Sequence, residues 1–293
     1  MRCPGKIILP VVLILFSSLF SLAQESVFSP LLPEDLQIKL PRITYTQRLT
    51  NRYISKGLTT SPRARTVATL NINWYGAYFS VISYWDLEGY AKAPDGHRYS
   101  QEPVEWDYVA GYSYRFGGDW PLIKYLQVGG DYCKTQIPYN RDGNVERYAF
   151  IVAMGCFLRP RLSTQWYPNV NDRVRMVLTL YYDYPIIDKL TLNNRLAIWM
   201  GNSRFMGTAV PGGVDKAREY RRDGEPLGDC YKSGIYSLFY TIELSYDFNE
   251  RITFGPMLQF GWAPDHDIRE AWEERAASNS FNAAVGCFLR MRF

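Results

Sequence analysis

The feature that most constrains this fold is a long stretch of two-residue alternation near the end of the chain. From Tyr236 to Phe248, apolar or aromatic side chains occupy every second position, and polar side chains occupy the positions between them, with Phe239 as the exception. After a turn at Asn249-Glu250 the alternation resumes. Because successive side chains of a β-strand point to opposite faces, the pattern predicts two long antiparallel strands that form a hairpin.

The length of these strands separates two classes of all-β protein. Strands in soluble sandwiches usually have about 3 to 10 residues, whereas strands that cross a bilayer at a tilt need about 9 to 11 residues or more, apolar outward and polar inward. The alternation over 234–248 and 251–263 exceeds the first range. Trp and Tyr lie near the ends of such segments, as the aromatic girdles of a membrane protein require. The sequence therefore predicts a transmembrane antiparallel β-barrel.

Continuing the pattern along the chain predicts about twelve strands, with ten as the fallback if the short seventh strand fails. Short turns alternate with mostly longer loops, and in barrels of the bacterial outer membrane the short turns lie in the periplasm and the long loops outside. An even strand number then places both ends of the barrel in the periplasm. The predicted strands are 42–54, 65–74, 76–88, 104–116, 121–133, 146–157, 161–167, 173–184, 189–200, 234–248, 251–263 and 279–293.

The start of the chain is predicted to be a secretory signal peptide. Arg2 and Lys6 precede an uncharged apolar run, and Ser21-Leu22-Ala23 has the small-x-small pattern of a cleavage site. A membrane anchor, the alternative, needs about 20 apolar residues, and this run is shorter. The expected location is the bacterial outer membrane, with a signal peptide over 1–23, a periplasmic segment over 24–41 and the barrel over 42–293.

Charge and composition narrow the expected partners. The chain has 33 Lys and Arg against 29 Asp and Glu, and removal of the signal peptide leaves a net charge near +2, which gives nucleic acid no advantage as a partner. The four Cys of the mature chain match no metal-site spacing, so no metal site is expected. The expected partners are outer-membrane lipid, a small hydrophilic solute and the barrel-assembly machinery. The last of these is expected because the terminal Phe293 resembles the C-terminal signal that this machinery recognises.

Charged side chains on the inward faces are the candidates for function. The basic candidates outnumber the acidic ones, which predicts a channel for small hydrophilic solutes with a weak preference for anions. The arginines of strands one and twelve are expected to share one wall, segregated from the aspartates of strands three to five. The candidate pore-lining residues are Arg48, Arg52, Asp86, Asp107, Arg115, Asp131, Arg147, Arg175, Asp183, Lys189, Arg195, Glu243, Asp247, Arg251, Arg290 and Arg292.

Two other functions remain open from the sequence. A lumen packed with Tyr, Arg and Asp side chains would give a structural or adhesive barrel that binds a partner through its external loops. A hydrolase would use the only two histidines, His97 and His266, which lie beside aspartates in predicted external loops. The Ser-His arrangement of a barrel phospholipase is absent, so we predict no catalytic residue and do not expect an enzyme.

The longest predicted external loop, 202–233, contains a charged run from Asp215 to Asp223. This loop could fold into the barrel and narrow a pore, or it could remain solvated outside. Cys230 in this loop and Cys133, placed at the outer end of strand five, are predicted to lie on the same side in accessible positions. Because exported proteins meet an oxidising compartment, this gives the hypothesis of a disulfide between them.

Short motifs resemble the TorF family of outer-membrane porins. The segment Tyr53-Ile54-Ser55-Lys56-Gly57-Leu58 is similar to the Tyr-x-x-Arg-Gly-Ile element of that family, with Lys56 in place of the usual Arg. The segments Gly76-Ala77-Tyr78-Phe79 through Trp85, and Glu105-Trp106-Asp107-Tyr108 with Gly111-Tyr112, also look like parts of that family. The resemblance implies a single barrel with no cofactor and an unassigned solute, and it makes Lys56 a candidate for the role of the family's Arg.

Overall fold

The structure of the chain is a computed structural model. The predicted signal peptide lies outside the residues that it describes, as do nearly all of the predicted periplasmic segment, most of the loop 202–233, and Lys56, His97, Cys230 and His266. The described residues are 40–55, 58–88, 96, 102–117, 122–138, 144–169, 173–202, 205, 233–265 and 281–293.

The described residues form fourteen strands, twelve of which make a closed antiparallel barrel. In chain order they are β1 (Arg42–Thr50), β2 (Tyr53–Ser55), β3 (Leu58–Ser61), β4 (Arg65–Trp74), β5 (Ala77–Asp86), β6 (Glu102–Gly117), β7 (Tyr125–Gln136), β8 (Val145–Met154), β9 (Arg161–Tyr167), β10 (Arg173–Ile187), β11 (Leu190–Gly201), β12 (Gly234–Asp247), β13 (Ile252–Trp262) and β14 (Phe281–Arg292). The remaining two, β2 and β3, pair with each other in a separate sheet. The predicted fold class and number of barrel strands are confirmed, including the short seventh strand.

The ring closes between its first and last strands. β1 pairs with β14 from Thr44 opposite Arg292 to Thr50 opposite Gly286, and its other edge pairs with β4. Every barrel strand therefore has a hydrogen-bonded neighbour on both sides. Closure of this kind satisfies the backbone polar groups of strands that lie in hydrocarbon.

The register of the strands fixes which side chains face the lumen. Arg48 on β1 forms an ion pair with Glu243 on β12, which is possible only if both point inward. The alternate positions point outward and carry large apolar side chains, among them Phe150, which is 56% exposed, and Val285, which is 53% exposed. Because such side chains are unfavourable in water, the outer surface of the barrel fits a lipid environment.

Aromatic rings cluster at both ends of the barrel exterior. At the loop end, Trp85 contacts Trp106 with ring centroids 6.4 Å apart. At the turn end, Tyr246 contacts Phe254 with centroids 5.6 Å apart. Amphipathic rings at two levels are the arrangement that membrane interfaces favour.

The turn between β4 and β5 depends on a glycine. Tyr75 and Gly76 both have positive φ angles, 47° and 88°, as a tight hairpin turn of the primed type requires. A Cβ atom at Gly76 would overlap the backbone oxygen of Ser113. Glycine is therefore needed at this position both for its conformation and for the approach of β6.

The first predicted strand, 42–54, is wrong beyond Thr50. The backbone N–H of Asn51 donates to the carbonyl oxygen of Val285 at 3.0 Å, and the N–H of Val285 donates to the Asn51 side chain at 3.0 Å. The Asn51 side chain thus occupies a position that a continuing strand would fill. The chain bends there, and β2 pairs with β3 instead of extending β1.

Two predicted strands near the turn at 155–160 are displaced. The strand predicted at 121–133 lies at Tyr125–Gln136, and the strand predicted at 146–157 ends at Met154. Gly155 follows the last residue of this strand; its N–H still donates to the carbonyl oxygen of Tyr125 at 2.8 Å, and a Cβ there would overlap the Tyr125 ring. The apolar residues that follow belong to the turn.

Candidate functional site

The candidate functional site is the lumen, which contains a cavity of about 970 Å³. Inward side chains from strands all around the barrel line it. Among the described lining residues, eight arginines stand against four carboxylates, so the cavity wall carries excess positive charge. The arginines are Arg48, Arg65, Arg147, Arg159, Arg173, Arg175, Arg195 and Arg290, and the carboxylates are Glu105, Asp107, Asp183 and Glu243.

Glu243 holds two of these arginines. Arg48 lies 3.2 Å and Arg290 lies 3.5 Å from the two carboxylate oxygens of Glu243, whose side chain is only 12% exposed. Closer to the turn end, Arg292 lies 3.8 Å from Asp247. β1 and β14 bring these arginines to one wall, but β12 places carboxylates within ion-pair distance of them, so the wall is not purely basic.

A second polar network crosses β5 to β8. The Tyr78 hydroxyl donates to Asp131 at 3.0 Å, and Arg147 lies 3.2 Å from the other oxygen of that carboxylate. Asp107 accepts hydrogen bonds from the Tyr84 hydroxyl at 3.3 Å and from the Thr135 hydroxyl. The aspartates on this wall are thus bonded to side chains on strands one or two positions away, which holds them in place.

A third group of charges lies on β10 and β11 and on the turn before β9. Arg159 pairs with Asp183 at 2.6 Å. The guanidinium carbons of Arg159 and Arg195 each lie 5.9 Å from the centroid of the Tyr181 ring, a distance at which cation–π attraction operates. Arg195 forms no ion pair with a carboxylate of the described residues.

Arg175 on β10 is the most enclosed of the lumen arginines, with 4% of its surface exposed. The side-chain oxygen of Gln165 accepts hydrogen bonds from its Nε at 2.9 Å and from its Nη2. Three aromatic rings surround the guanidinium, with centroids at 4.7 Å for Trp199, 5.3 Å for Tyr167 and 5.5 Å for Phe205. The guanidinium is therefore held rigidly in a mainly aromatic pocket.

The β2–β3 hairpin narrows the lumen. Ile54 is 4% exposed and packs with Val177, Ala197, Phe239 and Ala284, which belong to β10, β11, β12 and β14. By strand register these four side chains face inward. The hairpin thus extends from the end of β1 into the lumen and contacts the wall formed by β10 to β14.

Tyr53 fixes the hairpin to the other wall. Its ring contacts that of Tyr84 on β5 at 5.7 Å, and the guanidinium of Arg65 on β4 lies 5.2 Å from its centroid. One residue of the hairpin therefore contacts β4 and β5 while the next contacts β10 to β14. The predicted narrowing by the loop 202–233 falls largely outside the described residues, although Phe205 of that loop lines the cavity.

Most of the predicted lumen residues take inward positions, while three lie elsewhere. Arg52 lies in the bend after β1, not on a barrel strand, and Lys189 and Arg251 lie in the turns that follow β10 and β12. These three predictions were wrong because the predicted strands continue beyond the residues that pair with a neighbouring strand. Inward positions by strand register are those of Arg48, Asp86, Asp107, Arg115, Asp131, Arg147, Arg175, Asp183, Arg195, Glu243, Asp247, Arg290 and Arg292.

The sequence reasoning missed several cavity residues. Arg65 and Arg173 are the first residues of their strands. At a strand end, few alternating residues are available to show which face a side chain is on. Glu105 could have been found, since it lies two residues before Asp107 and shares its face. Ile54 carries no polar signal that would distinguish a lumen hairpin from a continuing strand.

The placement of Cys133 corrects the disulfide hypothesis. Cys133 lies within β7, is 3% exposed and is a free thiol. It faces the lumen between Val109 and Arg147. It is therefore not the accessible residue that pairing with Cys230 would need.

These observations define the class of the protein. A closed antiparallel barrel has polar and charged side chains inside, apolar side chains outside, and aromatic rings at both ends. Closed β-barrels and helices are the structures that can span a membrane with their backbone bonds satisfied. The protein is an integral membrane β-barrel.

Comparison with known proteins finds the same kind of architecture. Solved structures similar to this chain include the KdgM porin in complex with disordered oligogalacturonate (11% identity, 86% of this chain and 99% of that chain, TM-score 0.44). The NanC porin (8%, 86% and 100%, 0.46) and the outer membrane phospholipase A from Escherichia coli (10%, 86% and 96%, 0.42) are also similar. No family model and no curated protein matches the chain.

Within the described ranges, no helix is long and apolar enough to cross a membrane. In the same residues, no group of three or more His, Cys, Asp and Glu side chains is placed to hold a metal ion.

Proposed function

We propose that the protein is an outer-membrane channel for the passive diffusion of small hydrophilic solutes, with a weak preference for anions. The observation that carries the proposal is the twofold excess of arginines over carboxylates among the described residues that line the lumen cavity. Positive charge on the walls of a narrow aqueous passage raises the local concentration of anions and lowers that of cations.

The ion pairs inside the lumen limit this preference. Glu243 compensates Arg48 and Arg290, Asp131 pairs with Arg147, and Asp183 pairs with Arg159. Paired charges contribute little to the field in the passage. The excess comes from Glu243, which has one negative charge for two arginines, and from Arg175 and Arg195, which form no ion pair with a described carboxylate. The expected selectivity is therefore weak.

Planar-bilayer recording of the refolded mature protein tests the proposal. Stable conductance steps are expected, and a salt gradient should give a zero-current potential of the sign that anion preference requires. A potential of the opposite sign would contradict the anion preference while leaving the channel intact. Absence of steps from a correctly folded, heat-modifiable protein would contradict the channel itself.

The hairpin in the lumen favours one alternative, a structural or adhesive barrel that binds a partner through its external loops. Ile54 and Tyr53 connect opposite walls and fill part of the passage. A barrel blocked in this way would be silent in the bilayer. Binding of cell-surface components to the folded protein, lost after proteolytic trimming of the loops, would support that alternative.

Two further predictions remain from the sequence. The resemblance to the TorF family stays a prediction, and Lys56, to which it gives a role, lies outside the described residues. The predicted interaction of Phe293 with the barrel-assembly machinery can be tested by substituting Phe293 with Ala and measuring how fast the barrel is inserted.

A further inference from the structure

Two hydrogen-bond donors in the lumen lack an acceptor. Nη1 of Arg175 and Nε1 of Trp199 are both buried and have no hydrogen-bond partner within the described residues. The guanidinium carbon of Arg175 lies 4.7 Å from the centroid of the Trp199 ring, so the two donors belong to one site. Both residues line the lumen cavity. Buried donors without acceptors are rare in folded proteins, because each loses its hydrogen bonds to water without gaining another.

The charge of Arg175 is also uncompensated. Its two bonded nitrogens share the neutral side-chain oxygen of Gln165, which the Tyr167 hydroxyl also contacts at 3.1 Å. No carboxylate of the described residues forms an ion pair with Arg175. A buried cation without an anion is strongly unfavourable. An anionic group placed against Nη1 would supply both the missing acceptor and the missing charge.

The site lies beside the hairpin that narrows the lumen. Trp199 packs against the apolar cluster around Ile54, and Val177 of that cluster is two residues from Arg175 on β10. Phe205, at the start of the loop that follows β11, covers the guanidinium with its ring centroid at 5.5 Å. Movement of this side chain would expose the two donors to the cavity next to its narrow part.

We propose that Arg175 and Trp199 form a binding site for the oxyanion group, carboxylate or phosphate, of a small solute that enters the lumen. This site rests on the proposed channel function. It adds the chemical class of the solute and the position in the lumen at which the solute binds. Arg175 supplies a charge-assisted hydrogen bond from Nη1, and the indole N–H of Trp199 supplies the second. The aromatic rings around Arg175 exclude water, which strengthens both bonds.

Calorimetric titration of the detergent-folded full-length barrel tests the site. The probes are gluconate and inorganic phosphate, with glucitol as the neutral counterpart of gluconate. Wild-type protein should bind at least one anion saturably and should not bind glucitol. Trp199→Phe removes the N–H and keeps most of the ring, so it should raise the Kd about tenfold, the loss of one hydrogen bond to a charged group.

Arg175→Gln should abolish saturable anion binding. Arg195→Gln is the matched control, because it removes one lumen arginine of equal charge that also contacts an aromatic ring, and it should leave the Kd within about twofold. If Arg175→Gln does not fold, Arg175→Lys replaces it, since lysine keeps the charge but lacks the planar fork, and it should weaken binding about tenfold or more.

The outcomes separate this site from the channel. Absence of saturable anion binding by the folded wild type overturns the site, as does an equal loss of affinity in Trp199→Phe and Arg195→Gln. Binding of glucitol as tight as that of gluconate also overturns it. Calorimetry does not depend on conduction, so a protein that binds anions but is silent in the bilayer would contradict the channel and retain the site.

Discussion

Substitution of Ile54 tests whether the hairpin controls the width of the lumen. Ile54 is 4% exposed and packs against four inward side chains, as a core isoleucine does. Ile54→Ala at such a position costs about 2 to 5 kcal/mol. If the hairpin exchanges between a docked and an undocked position, this free energy raises the undocked-to-docked ratio by about 30-fold to several thousand-fold.

Single-channel recording measures the effect directly. The wild type should show one main conductance level, and Ile54→Ala should spend more time at a larger one, because the hairpin no longer fills part of the passage. Ile54→Val removes one methyl group and costs about 0.5 to 1.5 kcal/mol, so it should give an intermediate change. Leu49→Ala, on the outward face of β1, is the control and should leave the level unchanged.

The reasoning is refuted if Ile54→Ala folds normally and its conductance levels and dwell times equal those of the wild type. Folding is checked by the shift in gel mobility on heating. A variant that fails this check can be replaced by one in which a short Gly-Ser link replaces 53–61, which should show the larger level permanently.

Three other predictions concern the paired charges and one glycine. Glu243→Gln should lower the free energy of unfolding by about 1.5 to 3 kcal/mol in a urea titration. It should also shift the zero-current potential in the direction of anion preference, because Arg48 and Arg290 lose their shared partner. An unchanged potential would contradict this. Arg48→Glu should shift the potential towards cations, and a shift towards anions would show that Arg48 does not face the passage. Gly255→Ala should prevent assembly, because its Cβ would overlap the backbone oxygen of Leu244, and a heat-modifiable variant would disprove that contact.

The barrel was predictable because alternation is a local property of the chain. Even the short strand at 161–167 was found with its bounds, since Leu162, Thr164 and Trp166 alternate with Ser163 and Gln165 whatever lies beside them. Strand ends were less predictable, because they depend on contacts from other strands, as at Asn51 with Val285.

The candidate site was predictable only in part. Inward charges such as Arg48 and Glu243 follow from alternation, but their pairing depends on which strands close the ring and by what register. Trp199 lies on the inward face where a polar residue is expected, and Ile54 continues an apolar pattern. The sequence around these two residues does not indicate their roles, because those roles depend on contacts with residues of β10 to β14 that are distant in sequence.

The pairing of β1 with β14 also bears on how the barrel assembles. Phe293 donates its N–H to the carbonyl oxygen of Ile43 at 2.9 Å, so residues from the two ends of the barrel are bonded directly to each other. Such a contact has a very large sequence separation, and pairings of this kind form slowly. Until it forms, β1 and β14 each expose an unpaired edge that would be costly in lipid and could pair with another chain. Closure should therefore be the slow, committing step of biogenesis, and the intermediate before it should be the species most dependent on assistance.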